Sequence, residues 1–97
     1  MSRPGSIKTT VVTSDTTLKS VPGRVWWITI SNTHATAATA VELSDGASPD
    51  RWGVTVETSG DRDVLPFHQE FDPPIAFDTD IRVDITGGTA QVTVAWT

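Results

Sequence analysis

The side chains that can carry chemistry in this chain are mostly carboxylates in short clusters: Asp45, Ser48 and Asp50; Asp61 and Asp63; Asp78 and Asp80. Clustered carboxylates suggest calcium, a hard cation that takes oxygen ligands. The spacing does not match the twelve-residue calcium loop that closes on a bidentate Glu. These residues therefore read as solvated turn residues and Asx caps, with a weak calcium site at a subunit junction as the sharper alternative. His34 and His68 are the only histidines, one in a loop and the other near a bend at Pro66. Two separate histidines make a poor zinc site, and both read as ordinary surface or half-buried residues. Serine, histidine and aspartate all occur, but there is no nucleophile elbow and no Gly-rich oxyanion loop. There is no cysteine, which excludes disulfides, a thiol mechanism and a thiolate metal site. The expectation is a protein that is not an enzyme, with no catalytic residue, no cofactor and no metal.

Four tryptophans in so short a chain are the most unusual feature. Tryptophan is large, rigid and amphipathic, and is enriched at interfaces and in platforms on which sugars stack. Trp26 and Trp96 fall on apolar strand faces and read as core. Trp27 falls on the opposite face from Trp26, toward a second layer or a partner subunit. Trp52 opens its strand after a polar loop, which leaves it a rim or platform role.

Strands must position these residues. Thr and Val are abundant and no window sustains apolar residues at helical spacing. The organising stretch runs from the Pro22-Gly23 turn to Thr33: Trp26, Ile28 and Ile30 share one face, Val25, Trp27, Thr29 and Ser31 the other. It reads as the central strand of a small sandwich. Ahead of it, residues 1–6 form a flexible arm, Ile7 to Val12 an edge strand, and Thr17 to Val21 a short extended piece with Leu18 inward. After it, Asn32 to Ala38 is a connection, and Thr39 to Ser44 alternates up to the Asp45-Gly46 turn. Trp52, Val54 and Val56 alternate in the next strand, and Ser59-Gly60-Asp61 turns again. Asp63 to Phe71 is broken by Pro66, which demotes it to an edge or bent strand, and Asp72-Pro73-Pro74 is an extended corner before the pair Ile75 and Phe77. Ile81, Val83 and Ile85 alternate, Gly87-Gly88 reads as a hairpin turn, and Val92, Val94 and Trp96 pair back on the preceding strand. Seven to nine short strands at roughly ten-residue spacing describe one all-β domain over residues 1–97, a small antiparallel β-sandwich or jelly-roll-like barrel.

Charge is uneven. Through Arg24, four basic residues (Arg3, Lys8, Lys19, Arg24) face Asp15 alone, giving +3; beyond it, three basic residues face eleven acidic ones, giving −8 and a net −5. An acidic body argues against nucleic acid as a partner, since that affinity rests on Lys and Arg neutralising phosphates. Its plain meaning is solubility; the sharper one is a basic N-terminal end that meets an acidic partner surface. No apolar run approaches the ~18 residues of a membrane span, and the N-terminus has no signal-peptide h-region, so neither a membrane nor secretion is expected.

Pro22, Gly23 and Arg24 entering a hydrophobic strand, then Leu43-Ser44-Asp45-Gly46, then Pro74-Ile75-Ala76-Phe77 before a strand that ends in Gly87-Gly88, resemble the small all-β head decoration, or cement, proteins of tailed bacteriophages. The resemblance runs from about Pro22 to Thr97. It departs from that pattern at Asp78-Thr79-Asp80, where such proteins often place glycine. What it implies is a virion protein, made in the host cytoplasm, that binds the major capsid protein on the outside of the shell and stabilises the lattice, commonly as a trimer. Trp27 and Trp52 are the candidates for an apolar self-association surface, Met1 to Lys8, with Arg3, Ile7 and Lys8, for an arm that orders on contact, and Arg24 completes the basic end. The competing readings are a carbohydrate-binding or receptor-binding sandwich, which would use tryptophans as open platforms, and a head-tail connector or tail component that forms rings.

Overall fold

A computed structural model describes residues 6–47, 50–58 and 66–97. The chain is all-β: β1 (Lys8–Val12), β2 (Thr16–Lys19), β3 (Gly23–Asn32), β4 (Thr39–Ser44), β5 (Asp50–Val56), β6 (Phe67–Phe77), β7 (Ile81–Thr86) and β8 (Ala90–Trp96). They form two four-stranded antiparallel sheets, ordered β1-β8-β3-β6 and β2-β7-β4-β5. Among the described connections only β4 to β5 stays within a sheet; the chain otherwise crosses between layers, the winding of a jelly roll. The arm expected over residues 1–6 lies outside the described residues except for exposed Ser6, and so do Arg3 and the Ser59-Gly60-Asp61 turn.

Alternation explains the core. One sheet sends in Val12, Val25, Ile28, Ile30, Phe77, Val92 and Val94; the other sends in Val41, Leu43, Ile81 and Val83, nearly all of them fully buried. Each layer leaves its other face to water or to a partner, as an antiparallel sheet can. At the β5–β6 flank the sandwich is closed by Trp52, which packs edge-on against Phe71 at 5.5 Å between ring centroids and tilts over Phe67 at 6.1 Å. Near the opposite edge, Trp96 packs against the core and donates its indole N–H to Thr10 Oγ1 at 3.0 Å.

Three expectations are corrected. The first concerns β3, central as expected but with an irregular register between Val25 and Trp27 against both neighbours. Val25 pairs with Trp96 and Trp27 with Ala95, so Trp26 is an extra residue. One inserted residue reverses the facing of everything before it. Val25, expected on the outer face, is therefore fully buried, and Trp26 is half-buried outside the core. The second concerns Gly87-Gly88, which is not a hairpin: β7 belongs to one sheet and β8 to the other, so this turn carries the chain across the sandwich. The third concerns Asp72-Pro73-Pro74, which lies within β6 rather than ending it. Between Ile75, opposite Val25, and Glu70, opposite Trp27, β6 has more residues than β3. β6 sits at a sheet edge, where prolines leave no ladder bond unmade.

Candidate functional site

The two outer faces differ in chemistry, and the difference starts with the bulge. Because Val25 and Ile28 both point into the core, the two residues between them, Trp26 and Trp27, both turn outward from the β1-β8-β3-β6 sheet. Trp26 donates its indole N–H to Thr97 Oγ1 at 3.2 Å. Trp27 tilts against the His68 ring, 5.6 Å away. Ala95, opposite Trp27, is fully buried although it belongs to this outward row. The rows of the ladder continue the surface: Thr9, Ala95, Trp27 and Glu70 in one, Val11, Thr93, Thr29 and His68 in the next. Val11 is 54% exposed and Ile7, just beyond β1, 48%. Ionisable groups among these described residues stand at the margin, with Arg24 at one end and His68 and Glu70 along β6.

His68 makes the most chemically suggestive contacts on this face. Its Nδ1 lies 2.7 Å from Thr29 Oγ1 and its Nε2 3.4 Å from Glu70 Oε2. A hydroxyl, an imidazole and a carboxylate in line resemble a nucleophile relay. These three sit on an open sheet with Glu70 77% exposed, whereas stabilising a developing oxyanion needs preorganised donors in a water-excluded site. The contacts fix the His68 ring beside Trp27.

The other outer face, of β2-β7-β4-β5, is acidic at its centre, with Arg82, opposite Ser44, on the same side. Glu42 lies between Asp84 on β7 and Gly53 on β5. Gly53 makes room for it: a Cβ there would stand 3.3 Å from Glu42 Cγ. A hydrogen bond that the protonated Glu42 carboxyl donates to the Asp50 carboxylate, and the Asp50 charge, raise the Glu42 carboxyl above its ordinary value, with partial burial and Asp84 adding to it. A carboxyl whose folded-state value is raised contributes stability that is complete below its unfolded value of 4.5 and is lost as pH rises through the folded value. Glu42→Gln is therefore expected to raise the melting temperature by a few degrees at pH 7 and to leave it unchanged at pH 4, read by thermal denaturation at both. An equal gain at both pH values would show that charge is not the cause.

The clustered carboxylates have a structural task. Asp45, 2% exposed, accepts at Oδ2 from Asp78 N–H and from Arg51 Nη2, both at 2.8 Å, and at Oδ1 from Thr79 N–H at 2.8 Å and Asp80 N–H at 3.3 Å. Asp80 answers by accepting from Gly46 N–H at 2.7 Å and from Arg82 Nε at 2.9 Å. The β4–β5 and β6–β7 turns thus cap one another. The bond from Asp78 N–H leads in holding the Asp45 carboxyl far below its ordinary value; burial opposes this, while the remaining donors add to it. Oxygens engaged this way have little left for a cation. Among the described residues no group of three or more His, Asp or Glu is placed to hold a metal ion. Ser48, Asp61 and Asp63 lie outside the described residues.

Of the interface residues expected from sequence, Trp27, Ile7 and Arg24 come to the neutral face or its margin. Lys8 lies with its Nζ 5.4 Å from the Trp96 ring centroid, and Trp52 is turned inward on the flank. Sequence reasoning missed Trp26, whose outward turn depends on a bulge that no residue type announces. His34 is half-buried in the β3–β4 loop, as expected, and there its Nδ1 accepts from Thr36 and Ala37 N–H at 3.1 and 2.9 Å and so shapes the crossover. No family model matches this chain, and no curated protein or solved structure matches it either.

Proposed function

We propose that this chain is a non-enzymatic virion structural protein that binds the outside of a phage capsid and stabilises its lattice, acting as a trimer. The observation that carries the reading is the division of the sandwich into a neutral, aromatic outer face around Trp26, Ala95 and Trp27 and an acidic one around Glu42, Asp50 and Asp84. A protein of net charge −5 meets another surface with least repulsion through its neutral side, and Trp side chains there supply the anchors on which interface energy concentrates.

Size favours several copies acting together. Four strands about 4.8 Å apart, with lengths of 5, 7, 10 and 11 residues, give a face of roughly 500 Å², against about 800 Å² per partner for a standard stable interface. One copy therefore holds weakly, and linked copies gain by effective concentration. Jelly-roll sheets serve lectins as well as capsid components. Here all four tryptophans are half-buried, Trp26 tied to Thr97 and Trp27 resting on His68, rather than standing open in a groove.

The test is sedimentation of the chain with empty shells of the major capsid protein from the same genome, alongside its solution mass by light scattering. Saturable co-sedimentation, a trimeric mass, and a weakening of about thirtyfold in Val11→Glu support the reading. A monomer that leaves the shells bare and binds a glycan array through Trp27 replaces it with the sugar-binding reading. A larger closed ring points to a connector.

A further inference from the structure

Cations are scarce in this chain, so the place of each is informative. Among the described residues Arg51 pairs with Asp45 and Asp78, Arg82 pairs with Asp80, and Lys8 lies over Trp96. Among the described residues Lys19 and Arg24 have no carboxylate within ion-pair distance, and both line the same open cleft of about 540 Å³ at one end of the sandwich. Its walls come from the β2–β3 turn, the end of β6 and Thr97. Asp78, the acidic side chain at its rim, lies 3.3 Å from Arg51. Gly23 keeps the cleft open, since a Cβ there would run into the Thr97 carbonyl oxygen and stand 3.0 Å from Lys19 Cδ.

We propose that this cleft binds an extended acidic segment of a partner protein, with carboxylates at Arg24 and Lys19 and small apolar side chains against Pro22 and Ala76. Charge complementarity argues for the occupant: these two cations are left unpaired in a chain with an acidic surplus. A nucleic acid would need a row of phosphate contacts, and two cations beside an acidic body do not supply one. The cleft is continuous with the neutral face, because Thr97, which lines it, also accepts the Trp26 indole N–H. A partner lying on that face reaches the cleft with its next segment. The inference rests on the capsid reading only for the partner's identity; the chemistry of the cleft stands on its own residues.

The probe is a synthetic hexapeptide of aspartate, proline and alanine, titrated into the isotope-labelled chain at low salt, with the matching asparagine peptide and inorganic phosphate as comparisons. Saturable amide shifts at Lys19, Gly23, Arg24, Ala76 and Thr97 are expected. Affinity should fall by about tenfold or more in Lys19→Glu/Arg24→Glu, in the milder Lys19→Gln/Arg24→Gln, and for the asparagine peptide. Unchanged melting curves show that the variants fold. No binding, shifts elsewhere, equal binding of the asparagine peptide, or the same shifts from phosphate at the same concentration each overturn the inference. Shells bound while the cleft stays silent overturn this inference alone; peptide bound while shells stay bare overturns the capsid reading alone.

Discussion

Asp45→Asn lowers the melting temperature by on the order of 10 °C, an outsized effect for one loop side chain in a domain of this size. The reason is the number of donors that converge on one carboxylate. Asp78, Thr79 and Asp80 present three successive backbone N–H groups, and Arg51 adds a fourth donor. Asparagine keeps one acceptor oxygen and turns an NH₂ group toward N–H donors, so part of the set is left unpaired where water does not reach. Arg51→Ala, which removes a side chain 41% exposed and leaves the backbone bonds intact, should cost far less. The pH dependence separates charge from packing. A carboxyl depressed in the folded state contributes stability that is present above its unfolded value of 3.8 and is lost as pH falls below it. The deficit of Asp45→Asn relative to the parent should therefore narrow as pH is taken from 5 down to 2. A deficit that stays constant over that range would assign the effect to shape alone.

That clasp also marks how far the sequence can be read. Asp45-Gly46 announces its turn plainly, and Gly46 does take a positive φ of 61°. That Asp45 caps a second turn more than thirty residues away depends on which turns meet at one end of the sandwich, and local pattern carries no such information. The strands themselves were legible because half-buried strands alternate: Val41 and Leu43, Ile81 and Val83, and Val92 and Val94 are buried as their spacing implies. Alternation fails where parity breaks. At Trp26 an extra residue puts two adjacent tryptophans on one side, and the neutral face exists because of that break. In β6 the prolines looked like a boundary, yet an edge strand tolerates them. Pairing partners were least legible, since strands at similar spacing fit several sheet orders equally well.

Gly88→Ala is the second large effect, and it tests the corrected connection directly. In a hairpin, a glycine pair serves the positive φ of its turn. Here Gly87 has that need, with φ of 84°, and Gly88 has a different one. A Cβ at Gly88 would run into Thr39 Oγ1 and stand 3.1 Å from the Ala38 carbonyl oxygen, because this crossover lies directly against the one between β3 and β4. Thr39 is fully buried and donates its hydroxyl to Thr89 O at 3.1 Å, so it yields only by giving up that bond. Overpacking of this kind costs about 1–3 kcal/mol, or roughly 5–20 °C in the melting temperature. Thr39→Ala removes the obstructing hydroxyl, so the double variant should cost less than the sum of the two single changes, with a coupling of about 1 kcal/mol. At Gly87 the expected ranking differs: asparagine, which tolerates a left-handed backbone, should be milder than valine. Strict additivity between Gly88→Ala and Thr39→Ala would mean that a side chain at position 88 does not meet the Thr39 hydroxyl and that the two crossovers do not touch there.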